Sequence, residues 1–299
     1  MNILLFGADG QLGWQLRRSL CVVGDVTALT RTSDSHCGDL ADAAGIARTV
    51  RELRPDAIVN AAAYTAVDRA ETEQDAAFAV NHRACEVLAA EAERIGAWVV
   101  HYSTEYVFDG SGQAPWRESD RAAPLNVYGR SKLAGEQAIA RACPRHLILR
   151  CSWLFDTWGD NFLKWVLGAA RQRQGLEVVD DQYGAPTRAA LVADVTAHLL
   201  RALRPELAGT YHVAAAGEAS RYGLAVFALQ CAQLHGLSLQ SGPESVQPVP
   251  STAFPRPAAR PANSRLDTLR LRDTFGLALP HWQLGVEAVV AELAAAGRA

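Results

Sequence analysis

Lysine is nearly missing from this chain. Of 29 Lys and Arg residues only two, Lys132 and Lys164, are lysines, so any lysine asks for a reason. No apolar run approaches the roughly 20 residues that a membrane helix needs. The N-terminal Met1-Asn2-Ile3-Leu4-Leu5-Phe6 has no basic stretch before it and stops at Gly7. It reads as a strand rather than a signal peptide. The arginines are scattered among acids at a net charge of −3, which argues against nucleic-acid and membrane-surface partners. Six cysteines (Cys21, Cys37, Cys85, Cys143, Cys151, Cys231) form no C-x-x-C pair, and the histidines show neither metal-ligand spacing nor a triad. Reduced thiols in a cytoplasmic protein without a metal are expected. Repeats and low-complexity segments are also absent.

With 49% hydrophobic residues over 299 positions, the chain makes one large domain or two intimate ones. Asn2 to Phe6, Val26 to Leu29, Ala57 to Asn60, Ala97 to Tyr102 and Leu147 to Arg150 are short apolar runs. Each suits a strand buried on both faces. Helical stretches lie between them, one long pattern running to about Ile95 with a break near Thr72 to Gln74. Such alternation predicts an α/β fold, a doubly wound parallel sheet of the Rossmann type. After Cys151 the regularity fades into helices and a short strand, Thr210 to Val213. The expected division is 1–150 for dinucleotide binding and 151–299 mainly for substrate, a smaller mixed unit whose elements cross back to the first.

The first strand runs into Gly7-x-x-Gly10-x-x-Gly13 and then a helix through Leu20. In that context glycines allow a tight turn, close approach to a pyrophosphate and close helix–strand packing. The expected cofactor contacts are Gly7, Gly10, Gln11, Leu12 and Gly13. The second strand ends at Thr30 and Arg31, where an NAD enzyme usually places an acid about 20 residues past the glycines. A guanidinium with hydroxyls suits a 2′-phosphate, whereas the bland alternative is a loop arginine. Asp39, followed by Leu40, either meets the adenine or caps the next helix. Ala61, Ala62, Ala63 and Thr65 follow the third strand, small side chains on which a flat cofactor can lie.

Tyr128 and Lys132 stand four residues apart on one face of a helix that begins near Asn126. A neighbouring ammonium brings a phenol towards the working range. The spacing alone also fits a solvated helix pair.

Together, Gly7-x-x-Gly10-x-x-Gly13 and Tyr128-x-x-x-Lys132 resemble the extended short-chain dehydrogenase/reductases. Ser103-Thr104-Glu105-Tyr106-Val107-Phe108-Asp109-Gly110, Pro124-Leu125-Asn126-Val127-Tyr128-Gly129, Ser152-Trp153 and Arg260-Pro261-Ala262-Asn263-Ser264-Arg265-Leu266 narrow this to the dTDP-4-dehydrorhamnose reductase family. The resemblance covers essentially the whole chain. It implies NADPH-dependent reduction of the C4 ketone of a dTDP-sugar (family members often accept NADH as well), in dTDP-rhamnose and O-antigen biosynthesis. It makes Tyr128 the proton donor, Lys132 its activator and Thr104 the hydroxyl that positions it. Glu105, where the family usually has Asp, and Trp153 then contact substrate. Six prolines between Ser241 and Pro261 exclude helix and interior strand. That loop carries Arg256 and Arg260, with Arg265 just after it. Arg260 is the expected diphosphate contact, with Asn161-Phe162 and Gln182-Tyr183 near base or sugar.

Two other readings stand beside this one: a nucleotide-sugar 4-epimerase or dehydratase, and a non-catalytic NADP-binding regulatory subunit. Tyr106 after Glu105 lacks the acidic pair a dehydratase uses, and retention of Thr104, Tyr128 and Lys132 favours an enzyme. Some reductases that this chain resembles dimerise through magnesium held by three carboxylates per subunit. The matching positions here are Gln15, Ala190 and Glu292, with one acid left. A monomer, or a dimer without bridging magnesium, is expected.

Overall fold

The computed structural model describes residues 1–297; the last two residues of the expected second unit, 298 and 299, lie outside them. β1 (Asn2–Phe6), α1 (Gln11–Leu20), β2 (Asp25–Leu29), α2 (Ala43–Leu53) and β3 (Ala57–Asn60) follow in turn. The crossover to β4 (Trp98–Thr104) is divided into α3 (Val67–Ala70), α4 (Gln74–Phe78), a π-helical turn (Ala79–Arg83) and α5 (Ala84–Ile95). The expected break falls between α3 and α4, whereas the π turn carries no sequence signal. Next come α6 (Val127–Ala142) and β5 (His146–Cys151).

The second half holds β6 (Leu154–Phe155), α7 (Phe162–Ala170), β7 (Leu176–Val179), β8 (Tyr183–Gly184), β9 (Thr187–Arg188) and α8 (Ala189–Arg201). It continues with β10 (Gly209–Val213), β11 (Ala219–Ser220), α9 (Arg221–Leu234), β12 (Val246–Val249), β13 (Asn263–Ser264), α10 (Leu269–Phe275) and α11 (Trp282–Ala295).

Six strands form one parallel sheet in the order β10-β5-β4-β3-β1-β2. The order reverses between β1 and β3, the switch point where open α/β sheets take ligands at their carboxyl ends. Because helices cover both faces, the inner strands carry apolar runs: β1 buries Ile3, Leu4, Leu5 and Phe6. One core packs α1, α8 and α10 on the sheet; another packs α2, α5 and α6 on the opposite face. A third unites α7, α9 and α11 with β7 and β12. β10 pairs with β5, and Asp194 on α8 accepts from Ser19 Oγ (2.6 Å) and Arg18 Nη2 (2.8 Å) on α1. The 189–213 segment thus returns to the first half. Pro248 lies within β12, which is tolerated because β12 and β7 form a two-stranded pair with free edges.

Candidate active site

The glycine turn is shaped by contacts that leave no room for side chains. Gly7 has φ +78°, and a Cβ there would come within 2.6 Å of the Ala62 nitrogen. One on Gly13 would run into the Gly7 carbonyl oxygen, so α1 sits directly on the turn. Gly10 is roomier and precedes α1, whose first turn has no side-chain cap among the described residues. Its leading amides are therefore left to an anion. Leu12 and Leu40 are core side chains, so only their backbone can meet a cofactor. Ala61 to Ala63 continue from β3 beside Gly7, with Ala61 N donating to Phe6 O (3.1 Å), and exposed Thr65 follows.

At the end of β2, Thr30 Oγ1 lies 3.3 Å from Ser33 Oγ, and exposed Arg31 meets no carboxylate among the described residues. Asp39 does not cap α2: it accepts from Ala41 N (2.9 Å), and Asp42 accepts from Gly45 N instead (2.8 Å). The cap lies one turn later because Asp39 is engaged in its own local turn. Over the glycine turn lies the loop after β6. Trp158 Nε1 donates to Asp9 O (2.8 Å), Asn161 Nδ2 donates to Gln11 Oε1 (2.9 Å), and Trp158 stacks on Trp14 with centroids 4.4 Å apart.

α6 begins where expected. Asn126 accepts from Gly129 N (2.8 Å), while its Nδ2 donates to Ala259 O (2.8 Å) in the proline-rich loop. A Cβ on Gly129 would strike the Tyr106 carbonyl, so the first turn of α6 presses on the short helical turn Glu105–Val107. That contact sets Tyr128 edge-on to Tyr106, centroids 5.6 Å apart. Burial raises the Tyr128 pKa strongly; the Glu105 charge adds to this, and the neighbouring Thr104 hydroxyl partly offsets it. The expected lowering by the ammonium gives way to desolvation, and Tyr128 is a proton-bearing phenol. Lys132 is itself fully buried, which lowers its pKa; Nζ donates to Tyr102 O (2.6 Å) and lies 3.1 Å from His101 Nε2.

Thr104 Oγ1 donates to Glu105 Oε2 (2.8 Å) and accepts from Tyr106 N (3.2 Å). Glu105 is 3% exposed, and burial pushes its pKa up to about 7, with Thr104 and Arg221 drawing it back. Its longer arm therefore folds onto its own neighbour.

Beyond this group opens a cavity of about 930 Å³ between α7, β7 and the proline-rich loop. Tyr106, Asn161, Phe162, Gln182, Arg221 and Arg260 are among its walls. Arg260 is held by Asp68 (2.9 Å). Trp153 adopts φ +46°, a strained conformation for a bulky residue, and lies flat beneath Arg221, whose guanidinium carbon is 3.6 Å from the ring centroid. Burial lowers Arg221 to about 10. Sequence reading missed Arg221. A signal was present: it follows the N-cap Ser220 as the first residue of α9, the helix end that disfavours a cation.

Of the three carboxylate positions considered for magnesium, Ala190 donates its amide to Asp156 Oδ2 (3.0 Å). Glu292 accepts from Arg188 Nη2 (2.7 Å), and Gln15 is half-buried on α1. Among the described residues no group of three His, Cys, Asp or Glu side chains is placed to hold a metal ion.

Known proteins resemble this chain over nearly its whole length. The family described as the RmlD substrate binding domain matches residues 1–295. The dTDP-4-dehydrorhamnose reductase of Salmonella typhimurium is 50% identical over 295 residues, 98% of each chain. That of Escherichia coli K12 is 48% identical over the same share. A crystal structure of dTDP-4-dehydrorhamnose reductase from Bacillus anthracis in complex with NADP superposes with TM-score 0.89 at 33% identity, covering 97% of this chain and 99% of that one.

Proposed function

The chain belongs to the dTDP-4-dehydrorhamnose reductase family, and from that premise we infer that it reduces the C4 ketone of dTDP-4-dehydro-L-rhamnose to dTDP-L-rhamnose with NADPH. The observation that carries the reading is Thr104, Glu105 and proton-bearing Tyr128 gathered at the carboxyl end of β4, beside Tyr106 in the cavity wall. The residues present fit the cofactor: Gly7 and Gly13 make a cradle that a Cβ would fill, α1 offers uncapped amides, and Arg31 replaces an acid. When bound, NADPH supplies the hydride for C4.

The side chains do the rest. Tyr128 gives its proton to the alkoxide as it forms, and burial keeps that proton in place until then. Thr104 holds the phenol, and Lys132 is the buried base and acid behind it. Arg221, Arg256 and Arg260 furnish bidentate donors for a diphosphate, and Trp153 fixes the plane of Arg221. Phe162 offers a face to the base. Residues 1–150 with 189–213 serve the dinucleotide, and most of 151–299 serves the sugar nucleotide. No helix among the described residues is long and apolar enough to cross a membrane, and the place of work we assign is the cytoplasm. The proposed assembly is a monomer, or a dimer without bridging magnesium.

Loss of NADPH absorbance on adding dTDP-4-dehydrorhamnose to purified protein tests the reading. Appearance of dTDP-L-rhamnose is expected. NADPH left unconsumed would overturn it.

A further inference from the structure

Beneath the catalytic face lies a buried chain of hydrogen bonds that the reaction as described does not use. It starts at a backbone amide of the small-residue shelf, where Ala62 N donates to Asn60 Oδ1 (3.2 Å). That bond fixes the orientation of the Asn60 amide, so its Nδ2 is the donor facing His101 Nδ1 at 3.2 Å. Asn60 and His101 are each 1% exposed. Burial holds the imidazole neutral, with its pKa well below the usual value. A neutral ring has one N–H. With Nδ1 accepting, that proton is on Nε2, 3.1 Å from Lys132 Nζ.

We propose that His101 is a positioning residue that donates Nε2–H to Lys132 and thereby favours its amine over its ammonium. The amine offers a lone pair to His101 and an N–H to Tyr102 O, so both short contacts at Nζ are hydrogen bonds. An ammonium would set two donors against each other. The other titratable groups facing Lys132 are Cys85 on α5, Glu136 on α6 and Cys151 on β5, and each would favour the charged form. Burial raises both thiols, Cys85 to about 11, and Arg150 holds Glu136 in a bidentate pair (2.7 and 2.9 Å). None of them cancels the His101 donor at neutral pH. The result is a lysine whose ionisation is drawn towards the working range, where a group can both give and take a proton.

The test has two arms. In the NADP⁺-bound protein labelled with ¹⁵N-histidine, ring signals of His101, linked to its backbone by triple resonance, should report the Nε2–H tautomer. An Nδ1–H tautomer or an imidazolium overturns the proposal. In His101→Phe, which keeps a buried ring and removes both nitrogens, the alkaline ionisation in the kcat profile should move up by about one pH unit, one hydrogen bond's worth. A downward move would mean that His101 accepts from an ammonium, and no move would mean packing alone; either sinks the idea. The kcat arm rests on the reductase reading, whereas the tautomer does not. A protein inactive on dTDP-4-dehydrorhamnose with Nε2–H in place would refute that reading and leave this one standing.

Discussion

At the scale of single residues, the site is governed by burial more than by neighbouring charge. Tyr128 keeps its proton because its phenolate would be desolvated and would face Glu105. Tyr128→Phe is expected to fold normally and lose roughly 10²–10⁴-fold in kcat, the usual cost of a missing general acid. Turnover within about threefold of wild type would remove Tyr128 from the chemistry. Glu105 offers a second check through stability. Its folded pKa of about 7 exceeds the ordinary 4.5, so the folded state holds the proton more tightly. That contribution is complete below about 4.5 and is lost as pH rises through about 7. Glu105→Gln has no such loss, so relative to wild type it should gain stability over this interval, on the order of 3 kcal/mol at most. Urea midpoints of both proteins at the two ends of the interval decide it; a difference independent of pH would contradict the buried carboxyl. Arg31 belongs to the same scale. A charge-assisted contact contributes about 1.5–3 kcal/mol. Arg31→Ala should therefore cost NADPH about tenfold or more in kcat/KM and leave NADH nearly unchanged, and a wild-type preference for NADH would refute the assignment.

Among the elements, the junction of β1, the glycine turn and α1 is the least forgiving. Gly13→Ala drives a methyl into the Gly7 carbonyl, backbone against backbone. The expected loss is about 1–3 kcal/mol, the usual cost of overpacking, together with weakened cofactor binding. Denaturation midpoints and a cofactor titration measure both, and an unaltered midpoint would mean that the turn can yield. This junction was legible because glycine spacing, strand and helix occupy consecutive residues. The start of α6 was legible for the same reason, since Asn126 caps it from within the same turn. The placement of β10 beside β5 was not, because nothing local to Gly209–Val213 names a partner some sixty residues earlier. Arg221 and the Asn60–His101 contact escaped similarly: each acquires its meaning from strands and loops far apart in the chain. The net rise of the Tyr128 pKa was not legible either, because helical spacing does not report depth.

The whole molecule carries a prediction about assembly. Glu292, the one acid retained at the three magnesium positions, is engaged by Arg188, and Ala190 brings no ligand. Magnesium and EDTA should leave both the scattering mass and the turnover unchanged; a dimer that dissociates on chelation would overturn this. The stacked pair over the glycine turn has a further consequence, and it is optical. Trp14 lies in α1 and Trp158 in the loop after β6, with indole planes 11° apart and centroids separated by 4.4 Å. Chromophores so close share their excited states, and the pair should imprint an exciton couplet on the far-ultraviolet circular dichroism, at the strong indole band, despite five other tryptophans. Trp158→Phe should erase the couplet while thermal unfolding stays cooperative. In the unaltered protein its amplitude then becomes an intrinsic ruler for the loop over the glycine turn, readable without any attached dye while the enzyme turns over.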